Sequence, residues 1–230
     1  MLGKLKRIYA QLNRNRYLSY LKSLGADIGD KVYFVNPRKT NFDFNRALYI
    51  SIGNECVICA GVSIIAHDYS WTIPMKAYGS VFPTGGGTIK IGNNVFIGEN
   101  ATILRNVKVG NNVIIGAGSI VTSDVEDDSV YAGVPARKIM SLKEYSEKLK
   151  QNYSNEIATN ISVVSEKKGR MPYKSEMMNF CFDFLQRNDQ GEKSVLGMSW
   201  IGCDKRKVLD FFKHSSPNEN NYEDFIKRHS

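Results

Sequence analysis

The sequence predicts a mainly β chain built around a triangular parallel β-helix. Two observations carry this. Written in sixes, the chain reads IGNECV, ICAGVS, IIAHDY from Ile52, then IGNNVF, IGENAT, ILRNVK, VGNNVI, IGAGSI, VTSDVE from Ile91, and every hexad begins with Ile or Val. The fifth position (Cys56, Val62, Val95, Ala101, Val107, Val113, Ser119, Val125) is small or Val in every hexad but the third, which has Asp68. A period of six fits neither a helix nor a hairpin array. It fits short strands that turn a corner every six residues, each with one β-branched side chain pointing inward. Three such sides make a coil of about 18 residues, and successive coils stack ~4.8 Å apart.

Residues 1–24 come first and read as a helical segment. They carry Lys4, Lys6, Arg7, Arg14, Arg16 and Lys22 and no acid, within a chain of net charge +8. This basic start suits an anionic membrane surface, or a solvated helix face whose Leu5, Tyr9 and Leu12 pack on the body. Residues 25–140 are the β-helix. Ile28 to Val32 fits one hexad, and the register then drifts through an entry coil up to residue 51. Gly53-Asn54, Gly92-Asn93-Asn94 and Gly110-Asn111-Asn112 supply turn conformations at the corners.

The rhythm stops after His67 and resumes at Ile91. Between them, SWTIPMKAYGSVFPTGGGT (70–88) is a long excursion with apolar material in Trp71, Tyr78 and Phe82 and hinges at Gly79 and Gly85 to Gly87. Loops of this length in compact domains are usually functional. His67 sits at its root and is the only histidine of the repeat. Imidazole changes charge near neutral pH and suits general-base work on a hydroxyl. Asp68 can orient that histidine, bind an acceptor, or cap the loop.

Residues 141–230 read as an extension of mixed α and β type. SLKEYSEKLKQNY (141–153) opens with the capping box Ser141 and Glu144. A polar stretch, 154–170, reads as a linker. Helical runs at 175–187, 205–213 and 222–228 then flank a strand-like run at 195–202.

No apolar run approaches the ~20 residues of a membrane span, and no signal-peptide pattern opens the chain. Four cysteines make no disulfide framework, so a cytoplasmic protein is expected. Cys56 and Cys59 form a C-x-x-C without a matching second pair, so no metal site is expected. No nucleic-acid partner is expected either.

The hexads, the HDYS at 67–70 and the closing AGVPARKI at 132–139 resemble the hexapeptide-repeat acyltransferases, and among them the bacterial sugar and polysaccharide O-acetyltransferases. The resemblance implies a left-handed coil, a homotrimer and acetyl-CoA as donor. It implies His67 as catalytic base. The NFDFN at 41–45 is similar to a stretch of the family's acceptor site, so Asn41 and Asp43 join Asp68 and Trp71 as acceptor-side candidates; an Asx turn is the other reading. On the donor side, small residues in IGAGS (115–119) let a pantetheine arm approach the backbone. The resemblance places Phe96, Gly98, Gly116, Ala117 and Gly118 against the cofactor and Arg137 on its phosphates. Where relatives read VTK, this chain has Val121, Thr122 and Ser123, with Lys138 as the substitute. The expected activity is O-acetylation of a saccharide in capsule, exopolysaccharide or O-antigen synthesis, at the inner face of the membrane if the basic start binds there. The alternatives are N-acylation of an amino-sugar nucleotide and a non-catalytic binding scaffold.

Overall fold

A computed structural model describes residues 2–79, 85–201 and 203–230. The chain forms two compact units, 1–145 and 146–230. The first coil of unit one is β1 (Asp27–Ile28), β2 (Tyr33–Phe34) and β3 (Asn41–Phe42). The second is β4 (Ile50–Ile52), β5 (Val57–Ile58) and β6 (Ser63–Ile65). The third is β7 (Ile89–Ile91), β8 (Val95–Ile97) and β9 (Thr102–Leu104), and the fourth β10 (Val107–Val109), β11 (Val113–Ile115) and β12 (Ile120–Val121). Strands of equal place in each coil pair in parallel, giving three faces: β1-β4-β7-β10, β2-β5-β8-β11 and β3-β6-β9-β12. Unit one is a parallel β-helix. Its second face continues into β13 (Ser129–Ala132), which turns back as antiparallel β14 (Arg137–Ser141).

The sequence period becomes register directly. Val107 pairs with Ile89, Val113 with Val95 and Ile120 with Thr102, each 18 residues apart. Every hexad-leading Ile or Val is buried, as is every fifth position except Asp68. In every hexad from Ile52 to Ile115 but the one that holds His67, the fourth residue turns the corner in the left-handed region. Asn94, Asn100, Asn106 and Asn112 do so, and so do Lys31 and Glu55, at φ of 57° and 56°. Asparagine tolerates this conformation; for the other two it costs on the order of 1 kcal/mol, which the stack around them outweighs. The corner asparagines also bond from coil to coil, Asn54 to Asn93 (3.0 Å) and Asn93 to Asn111 (3.0 Å).

An open coil exposes its apolar cross-section at the first turn. Two helices, α1 (Leu2–Ala10) and α2 (Arg14–Ser23), lead into it, and α2 covers that end. Its Tyr17 and Leu21 are fully buried in the core of the prism, Tyr17 edge-on to Phe34 at 5.0 Å. The expected packing through Leu5, Tyr9 and Leu12 is not what occurs: all three are exposed. Asn13 caps α2 by accepting from Asn15 and Arg16, so the helix restarts there and the apolar stripe of α1 does not continue onto the body.

Ser141 and Glu144 form the expected capping box, with Glu144 N–H donating to Ser141 Oγ at 3.1 Å. The helix they start, α4 (Leu142–Lys168), comes after α3 (Thr72–Tyr78) in chain order and does not stop at 153. The stretch read as a linker is its second half. Tyr153, Ile157 and Ile161 repeat every fourth residue and form one seam of the core of unit two, so a sparse apolar stripe suffices to hold a polar helix. The unit continues with α5 (Cys181–Phe184), α6 (Asp189–Gly197), α7 (Lys205–His214) and α8 (Tyr222–His229). The strand-like run at 195–202 is a further correction. Its first three residues end α6, which Asn188 caps, and unit two has no strand among the described residues.

Candidate active site

Two coils are interrupted at the same corner. After β3 the chain makes a 3-10 stretch, Phe44–Tyr49, before β4; after β6 it leaves on the long excursion before β7. Because β3 and β6 are neighbours on the third face, with Asn41 opposite Ser63 and Phe42 opposite Ile64, the two departures lie side by side. Asp43, next on β3, therefore meets Ala66 and His67. Its carboxylate is buried; Oδ2 accepts the Ala66 N–H at 3.1 Å and is bonded to Nδ1 of His67. A carboxylate can only accept, so Nδ1 carries the proton and the Nε2 lone pair is free. The His67 side chain keeps 35% exposure, enough to be reached.

The excursion starts with Tyr69, whose ring meets His67 edge-on at 5.2 Å, and Trp71, and forms the short helix α3 (Thr72–Tyr78), ended by Gly79 at φ 71°. Phe82, read as cover material, lies outside the described residues. The returning segment runs antiparallel to the outgoing one: Asp68 N–H donates to Gly85 O (3.0 Å), Gly87 N–H to Ala66 O (3.0 Å), and His67 faces Gly86. His67 is thus held by its own strand, by Asp43 and by the loop's return. An open cleft of about 570 Å³ lies over it, lined by Asn45, Arg46, His67, Tyr69, Trp71, Gly85 and Gly86.

Asp68 closes the loop root. It accepts Ser70 N–H at 2.6 Å and pairs with Arg105 at 2.9 Å. Hydrogen bonds from Ser70, then the Arg105 guanidinium, hold its carboxyl down at about 2. A depressed carboxyl keeps this tie at neutral pH and gives it up only as pH falls below the ordinary ~3.9 through 2. A carboxyl-carbon titration should find the Asp68 midpoint near 2, and Ser70→Ala and Arg105→Gln should each raise it. A midpoint at the ordinary value in the parent protein would remove the tie.

Of the residues read from sequence, His67, Asp43 and Trp71 come together here. Asn41 lies on the third face beside Ser63 and outside the cleft. The donor-side residues lie elsewhere on the prism. Phe96 is exposed on the second face, in register with Val57 and Ile114. Gly98 and Gly116 to Gly118 form the corner between second and third faces, where a Cβ on Gly98 would come within 2.5 Å of Ala117 N. Arg137 is exposed in the final hairpin, and Lys138 pairs with Glu126 at 2.6 Å. Sequence reading missed Asn45 and Arg46. Asn45 ends the NFDFN stretch, and both lie in the segment between Phe42 and Ile50 that falls off the hexad rhythm.

Comparison with known proteins gives this fold its class. The model of the bacterial transferase hexapeptide (six repeats) matches residues 88–123, and that of the hexapeptide repeat of succinyl-transferase matches 50–66. Protein CapG of Staphylococcus aureus is 39% identical over 149 residues, 64% of this chain and 85% of CapG. The chain belongs to the hexapeptide-repeat acyltransferases. The galactoside O-acetyltransferase of Escherichia coli (strain K12) is 29% identical over 142 residues, 55% of this chain and 68% of that protein. Among solved structures, a hexapeptide-repeat containing acetyltransferase from Vibrio cholerae aligns over 61% of this chain and 88% of its own, at 22% identity and a TM-score of 0.48. Among the described residues no helix is long and apolar enough to cross a membrane.

Proposed function

We propose that the chain transfers an acetyl group from acetyl-CoA to a saccharide hydroxyl, in the synthesis of a surface polysaccharide, with His67 as general base. The observation that carries this is the Asp43–His67 pair at the root of the excursion, beneath an open cleft. Asp43 fixes the ring with Nε2 free. The acceptor hydroxyl oxygen attacks the thioester carbonyl, its proton passes to Nε2, and the carbon–oxygen bond forms. The carbon–sulfur bond then breaks, and the sulfur leaves with the proton from the imidazolium as free CoA thiol. The similarity to a galactoside O-acetyltransferase supports a sugar hydroxyl over an amine.

The working unit in this reading is a homotrimer of left-handed coils. Within one chain His67 stands at one corner of the prism, while Phe96, Gly98 and the Gly116 to Gly118 run belong to another face and corner. A second copy, laid alongside, supplies the donor groove to the first copy's histidine. Light scattering should show a trimer at working concentration; a monomer with full activity would sink the shared site.

Arg137, and Lys138 beside it, meet the CoA phosphates in this arrangement. Phosphate binding is remote from the reacting carbonyl, so Arg137→Ala should raise KM for acetyl-CoA more than it lowers kcat. A charge-assisted contact is worth ~1.5–3 kcal/mol, so the rise should be roughly ten- to hundredfold. The reading as a whole is tested by thiol release from acetyl-CoA with panels of hydroxyl sugars and amino sugars. Ester formation on the hydroxyl panel supports it; amide formation alone, or no transfer to either, overturns it.

A further inference from the structure

We infer that the acceptor carries a negative charge, a carboxylate or a phosphate ester, and that Arg46 binds it beside His67. The inference rests on the acetyl-transfer reading of the cleft and adds to it the class of acceptor. Arg46 lies in the 3-10 stretch that leaves β3 and lines the cleft together with His67. Its guanidinium lies over the Tyr49 ring, 4.1 Å from the centroid, and against the returning loop. A Cβ on Gly86 would stand 1.9 Å from Arg46 Nη2, so a glycine opposite His67 keeps the room the guanidinium occupies.

Arg46 Nε is shielded from water and has no hydrogen-bond partner, and no carboxylate pairs with Arg46 among the described residues. The carboxylates close to it in the fold are engaged, Asp43 with His67 and Asp68 with Arg105. Arg46 lines the cleft without a carboxylate partner among the described residues, and its guanidinium fork matches carboxylate and phosphate oxygens. Stacking on Tyr49 fixes the plane of the fork before the ligand arrives. The acetylated hydroxyl and the anionic group then lie on the same or adjacent sugar units.

The test is calorimetric binding to the CoA-saturated protein of three probes: methyl glucoside, glucuronate and glucose 1-phosphate, with the galactose series alongside. One anionic probe of a series should bind about ten- to hundredfold tighter than its neutral partner, the size of a charge-assisted contact. Which anion gains identifies carboxylate or phosphate. Arg46→Ala should erase the difference between anionic and neutral probes, and Arg46→Lys should restore it only in part. Arg46→Gln keeps more of the side chain's packing, and the parent comparison needs no variant at all. Equal binding of neutral and anionic probes, or a preference that survives both Arg46→Ala and Arg46→Gln, overturns the inference. Binding is read without turnover. A preference that depends on Arg46, seen without ester formation on any sugar, upholds the anion site and overturns only the transferase reading.

Discussion

His67→Ala should lower acetyl transfer by roughly 10²–10⁴-fold, the usual contribution of a positioned base, with the fold intact. The ring is partly exposed and stacks no core residue, so its removal leaves the coil intact. The sharper variant is Asp43→Asn. An asparagine oxygen still accepts the Ala66 N–H, so the backbone at the corner is held. With that oxygen in the place of Oδ2, which also meets Nδ1, the ring keeps its position but loses the negative charge that stabilises the imidazolium formed in the step. Asp43→Asn should therefore lose nearly as much as His67→Ala, and the double variant little more than either alone, since the two residues act as a unit. Steady-state turnover of all three decides it. Near-normal rates in folded His67→Ala would remove the imidazole from the mechanism, and independent, additive losses would remove the dyad.

The partnership of Asp43 and His67 could not be counted off the sequence. In the later coils partners stand 18 residues apart and the register reads itself. In the first two coils Asp27 faces Ser51 and Asn41 faces Ser63, spacings that the NPRKT turn and the FNRALY insertion make irregular. The histidine and the loop it anchors were legible because they break a strict pattern. The carboxylate beside it, and Arg46 over it, lie where there was no pattern to break. Asp68 stood out for the same reason as His67, yet its bonds to Ser70 and Arg105 show a loop anchor's geometry. Unit two was misread for a different cause. Val195, Leu196, Met198, Trp200 and Ile201 form a dense apolar run, which local composition reads as strand. Its fate was decided by the Asn188 cap upstream and by burial of Val195 among Phe180, Phe184, Phe212 and Phe225, and neither is a property of the run itself.

Ile97→Asp should abolish folding of unit one. Ile97 is fully buried, with Ile58 in the coil below and Ile115 in the coil above at the same place on the second face. The prism is narrow and β7, β8, β10 and β11 each bury two aliphatics, so position 97 sits among hydrocarbon side chains. An ionised carboxylate there carries a desolvation cost of several kcal/mol with no partner, and a protonated one still forfeits about 1.5–3 kcal/mol of apolar burial and leaves its hydroxyl unpaired. Together these approach the ~5–15 kcal/mol by which a domain of this kind is stable at all. Two controls separate charge from mere substitution. Ile97→Val keeps shape and polarity and should cost only ~0.5–1.5 kcal/mol. Lys108→Asp places the same aspartate on β10 between buried Val107 and Val109, but on the outward side of the pleat, and should change stability by no more than about 0.5 kcal/mol. Circular dichroism on heating should show no cooperative transition of the β-helix for Ile97→Asp and near-parental melting for Lys108→Asp; parental melting of both would mean that the inward register is wrong.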